Sequence, residues 1–134
     1  AGRRYLSYVT ATCKLPDGRI AAGTADAMFA TIKDGKVFSY GNAAPLGPVR
    51  CLSLSADGKR VYGTAGDDDD MGTVFTFDDE RGLHQMGLIN YNSPGWMDGP
   101  TASNVLSAVA PSPDGKLLAV GSADRIGAVH ILIL

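Results

Sequence analysis

Residues 104–124 read NVLSAVAPSPDGKLLAVGSAD, and two earlier stretches, residues 48–67 (PVRCLSLSADGKRVYGTAGD) and residues 8–26 (YVTATCKLPDGRIAAGTAD), repeat the same plan. In each, an alternating apolar segment runs into an Asp-Gly pair and a second apolar segment follows. Each copy then closes on Gly-Thr-Ala or Gly-Ser-Ala. Asp-Gly between alternating segments is a strong local hairpin signal, because a tight turn needs positive φ and glycine takes it without steric cost. The turns centre on Asp17, Asp57 and Asp114, spaced 40 and 57 residues apart. The chain is therefore read first as a repeat.

Working outward, each hairpin is followed by a third apolar segment, at residues 28–33, 72–77 and 127–132. Fourth segments follow in the first two copies, at 36–40 and 83–86, and each ends at a glycine, Gly41 and Gly87. The third copy runs out in His130–Leu134 (HILIL), the third strand of its unit. No window long enough for a helix escapes Pro and Gly, and the alternation has a period of two throughout. Four strands in 40 residues match the ~40–50 residues of a propeller blade. The expected fold is all-β: a β-propeller segment of three four-stranded antiparallel blades, the third incomplete, forming part of a larger or oligomeric propeller. One domain, 1–134, divides into blade 1 at about 5–41, blade 2 at about 48–88, an insertion at about 89–103 and blade 3 at about 104–134.

In the first strands one parity reads Val9, Ala11, Cys13, then Val49, Cys51, Ser53, then Leu106, Ala108, Ala110. These mostly small residues suit an innermost strand, where neighbouring blades converge and bulk collides. Cys13 and Cys51 fall on that face, which favours packed thiols over a disulfide. Two cysteines are too few for a disulfide framework and leave the compartment open.

Composition bounds the function classes. With 45% hydrophobic and 19% charged residues the chain can build a core. A net charge of -2 lacks the basic footprint of a nucleic-acid binder. No apolar run approaches the ~18 residues of a membrane helix.

The run Ser112–Ser122, with its partners Pro16–Thr24 and Ala56–Thr64, resembles WD40-like, YVTN-like and TolB-like propeller repeats. No Gly-His with a following Trp-Asp occurs, nor a Gly-Gly pair. Three blades do not close a ring, since propellers typically need four to eight. The resemblance thus implies that other blades complete it, from the same longer chain or from identical chains. It also implies that loops joining second to third strands, and fourth strands to the next blade, share one end of the molecule.

Two irregular segments belong to those loop classes: the run Asp67, Asp68, Asp69, Asp70 and the insertion NYNSPGWMDGPTASN at 90–104. Long structureless connections are more often functional than short ones, so Asp67, Asp69, Asp70, Tyr91, Trp96 and Asp98 are the candidate ligand-binding residues. A Trp beside carboxyl and amide groups offers a platform for a sugar ring, although it also serves to plug a loop into the fold. Adjacent carboxylates attract calcium, and Asp67 and Asp69 match the first and third ligand positions of a calcium loop. Met71 stands where a further oxygen is needed, which favours a solvated acidic loop without a cofactor. Asp26 and Asp124, near the same place in the other copies, are read as turn residues. His84 and His130 lie in strands without metal-ligand spacing, and no nucleophile elbow, Walker or dinucleotide motif occurs.

The favoured function is a binding or scaffolding module whose loop-rich face receives a glycan, a small ligand or a protein partner. Two alternatives stand beside it. One is a polysaccharide-active enzyme with carboxylates at the centre, which the missing local motif disfavours. The other is a structural assembly module.

Overall fold

The computed structural model describes residues 8–44, 47–66, 72–89, 106–122 and 129–134. Every regular element among them is a strand: β1 (Val9–Lys14), β2 (Ile20–Thr24), β3 (Met28–Lys33), β4 (Lys36–Asn42), β5 (Val49–Leu54), β6 (Val61–Ala65), β7 (Gly72–Asp78), β8 (Gly82–Ile89), β9 (Leu106–Pro111), β10 (Leu117–Ser122) and β11 (Val129–Ile133). They form three antiparallel meanders, β1–β4, β5–β8 and β9–β11. Each begins with one of the Asp-Gly hairpins, whose glycines Gly18, Gly58 and Gly115 sit at φ of 93°, 74° and 75°. No helix among the described residues is long and apolar enough to cross a membrane.

The sheets stack through their first strands: β5 packs on β1 and β2, and β9 on β5 and β6. Thr10 Oγ1 donates to the Val49 carbonyl at 2.5 Å, which ties the first two blades at their inner strands. Two cores result. Between the first and second sheets lie Ala21, Phe29, Val49, Val61, Phe75 and Phe77. Between the second and third lie Tyr62, Val74, Leu106, Val109, Leu118 and Val120. Phe29 meets Phe75 edge-on at 5.9 Å and Phe77 at 5.0 Å, an aromatic contact that spans the blades.

Two features of the sequence pattern change meaning in three dimensions. The parity of small residues along each first strand does not stay on one face. Register shifts fall between Val9 and Ala11, between Val49 and Cys51, and opposite Leu106 and Ala108. Each bulge inserts a residue and reverses the alternation. Val49 and Leu106 are thereby buried against the preceding sheet, while Cys51 packs towards the following one.

The Gly-Thr-Ala and Gly-Ser-Ala motifs are also not equivalent. The first hairpin closes from Leu15 N to Arg19 O, whereas the others span Ser55 to Arg60 and Ser112 to Leu117. The first turn is thus one residue shorter, and Gly23 matches Thr64 rather than Gly63. Ala25 N bonding Tyr8 O accordingly matches Gly66 N bonding Pro48 O. A one-residue shift turns a side chain to the other face. A Cβ on Gly23 would lie 2.2 Å from Val49 of the next blade, while one on Gly63 would lie 2.2 Å from the Phe75 ring of its own sheet. One glycine admits the neighbouring blade and the other admits a core aromatic.

Candidate functional site on the turn face

The three Asp-Gly turns gather at one end of the molecule and, with the β7–β8 turn, wall an open groove of about 780 Å³. Leu15, Val61 and Phe77, nearly buried, approach it from the core, and the lining as a whole is slightly more polar than apolar. Pro16, Asp17, Asp57, Pro113, Asp114 and Glu80 form much of the rim.

The rim is ordered by turn chemistry. Ser55 Oγ donates to Asp57 Oδ1 at 2.6 Å, and the same oxygen accepts from Lys59 N at 3.0 Å. Ser55 Oγ in turn accepts from Arg60 N at 3.1 Å. Ser112 and Asp114 repeat the arrangement at 2.6, 3.0 and 2.9 Å. These bonds favour the ionised carboxylate, so Asp57 and Asp114 are held below the usual value, first by the serine hydroxyl and then by the lysine amide.

In the first turn Leu15 replaces the serine, and Arg19 takes over. Its amide and Nε donate to Asp17 at 3.0 and 2.7 Å, while its two terminal nitrogens reach Asp79 at 2.8 and 2.7 Å. A planar guanidinium suits such paired contacts. The bridge joins the first blade to the β7–β8 turn of the second. It lowers the Asp79 pKa and raises that of Arg19, each chiefly through their shared hydrogen bonds. Asp78 caps the same turn by accepting from Glu80 N and Arg81 N at 3.0 and 2.7 Å, and it meets Arg60 at 3.3 Å. With Arg19 and Arg60 engaged in this way, Asp57, Asp114 and Glu80 face Lys59 and Arg81 along the lining, a slight excess of negative charge.

The candidate residues drawn from the sequence, Asp67, Asp69, Asp70, Tyr91, Trp96 and Asp98, lie outside the described residues. The strand ends that flank them are described. Ala65 pairs with Thr73, Thr73 with Leu88, and Leu106 with Ser122, so these ends share the end of the sheets opposite the Asp-Gly turns. Asp26 accepts a hydrogen bond from Thr24 Oγ1, which also accepts from Met28 N at 3.1 Å, as turn chemistry requires. Cys13 and Cys51 are free thiols packed against the first and second cores. Burial pushes the Cys13 thiol up. Exposed His84 lies on β8, and no group of three His, Cys, Asp or Glu suited to a metal occurs among the described residues.

The groove was missed in the sequence because Asp-Gly was assigned to turn formation alone. A usable signal was present: three equivalent turns on inner strands must emerge at a common end.

The family model for the WD domain, G-beta repeat, matches residues 96–126. The match starts at Trp96, inside the segment that spacing assigns to an insertion, and runs through β9 and β10. None of the curated proteins compared with the chain matches it. The match covers under a quarter of the chain, and the three stacked antiparallel sheets are consistent with it: both fit WD40-like propeller blades, a repeat that supports binding or scaffolding in general.

Proposed function

We propose that the chain is a scaffolding module that seats a segment of a protein partner in the turn-face groove. The observation that carries this reading is the groove itself, a concavity to which all three sheets contribute. Its rim is held rigid by serine, aspartate and arginine contacts before any partner arrives, which lowers the ordering cost of binding. Ionised carboxylates on the rim, with Leu15, Val61 and Phe77 beneath, suit a segment with basic and some aliphatic side chains. The probe is a fluorescein-labelled peptide of alternating lysine and leucine, compared with its glutamate–leucine counterpart. Preferential binding of the lysine peptide is expected, weakened several-fold by Glu80→Lys and by added salt. Equal binding of both peptides, or indifference to Glu80→Lys, overturns the reading.

A second seat, for a glycan or small ligand, is proposed at the opposite end around Asp67, Asp69, Asp70, Tyr91, Trp96 and Asp98. It is supported by the common end of the flanking strands. Trp96→Ala with Asp98→Ala should then weaken binding of an oligosaccharide panel while the circular dichroism spectrum is unchanged. A lost β-sheet spectrum returns Trp96 to a structural role.

A further inference from the structure

One plan of turn occurs three times along the groove, so its copies can be compared position by position. Leu15, Ser55 and Ser112 open the turns, and their carbonyls accept from Gly18 N, Gly58 N and Gly115 N at 3.1, 2.9 and 3.0 Å. The second position is Pro16 in the first turn and Pro113 in the third, but Ala56 in the second. Proline suits that position, because its ring fixes φ near the value such a turn needs.

Between the first two turns the ring has a second role. A Cβ on Gly58 would lie 2.7 Å from Pro16 Cγ and 3.6 Å from its Cδ, so the Pro16 ring rests directly on Gly58 of the next turn. Gly58 is half-buried there. One sheet further on, Ala56 stands where Pro16 stood and Gly115 where Gly58 stood. A Cβ on Gly115 would meet nothing within 4 Å, and both Ala56 and Gly115 are exposed. A side chain that ends at its Cβ leaves the place of ring atoms Cγ and Cδ open. Among the described residues, the groove therefore has a notch between its second and third turns at a place that is filled between its first and second.

We infer that this notch is a specificity subsite for a prolyl residue of the partner, whose ring rests on Gly115 beside Ala56 as the Pro16 ring rests on Gly58. It depends on the groove being a binding surface, as proposed above, and names what one position of that surface selects. The occupant follows from the chain's own solution, since the equivalent place is filled by a pyrrolidine ring lying on a glycine that has no Cβ to obstruct it. Charge agrees with this choice. Asp57 and Asp114, on the two turns that frame the notch, favour a lysine or arginine beside the proline. A prolyl segment also arrives already extended, which lowers the cost of ordering it.

The test is fluorescence anisotropy with the labelled lysine–leucine peptide and with the same peptide carrying proline in place of its central leucine. The proline peptide should bind the wild-type chain several-fold more tightly, and Ala56→Pro should remove that advantage by supplying the ring from within. This variant places proline where the first and third turns already hold it, so it should fold with a urea midpoint equal to or above that of the wild type. Equal affinity of the two peptides for the wild type, or a proline advantage that survives in Ala56→Pro, overturns the subsite and leaves the groove standing as a binding surface. A urea midpoint lowered by Ala56→Pro shows that the ring does not fit the notch and overturns it as well. Failure of both peptides to bind is the distinct outcome that removes the groove reading, and the subsite with it.

Discussion

At the scale of single residues, the glycines are distinguished by what faces them. Gly63 lies under the Phe75 ring, so Gly63→Ala forces the ring to move and should cost about 1–3 kcal/mol as overpacking. Phe75→Ala removes a fully buried aromatic that touches Phe29 and should cost about 3–5 kcal/mol. Gly121→Ala meets only ordinary contact and should change folding by no more than about 0.5 kcal/mol. Urea unfolding of the three variants at one protein concentration checks the order. A Gly63→Ala variant as stable as Gly121→Ala would contradict the ring placement.

At the scale of elements, the inner hairpins depend on ionised turn carboxylates. Hydrogen bonds to their carboxylates hold Asp17, Asp57, Asp79 and Asp114 below the usual carboxylate range in the folded chain. Their contribution is thus fully present above the unfolded value, and is lost as pH falls through that value towards the folded one. Urea midpoints should stay level for these groups down to about pH 5 and then decline. Ser55→Ala with Ser112→Ala removes the hydroxyls that lower Asp57 and Asp114, so this variant should be less stable at neutral pH and should lose less on acidification. An acid decline equal to that of the wild type would remove the serines from this role. The Arg19–Asp79 bridge is a different case. Asp79 is largely exposed, so Asp79→Asn should cost at most about 1 kcal/mol, and less in high salt.

At the scale of the whole molecule, three stacked sheets produce two cores. Among the described residues the central sheet contributes to both cores, and the first and third sheets to one each. The turn-face groove belongs to this scale too, since no single blade encloses it.

The hairpins and meanders were legible in the chain because Asp-Gly turns and period-two alternation are local and survive in any context that keeps one face dry. The direction of each face was not. It depends on three bulges and on a first turn shorter by one residue, and either device reverses which side chains a blade shows its neighbour. The groove also emerged only in space, because its walls come from turns tens of residues apart that meet when the sheets stack. By itself the sequence determined the strands, their pairing order and the blade count. Tertiary packing decided which residues form the cores and which turns meet, since those depend on contacts between blades rather than on propensities within one.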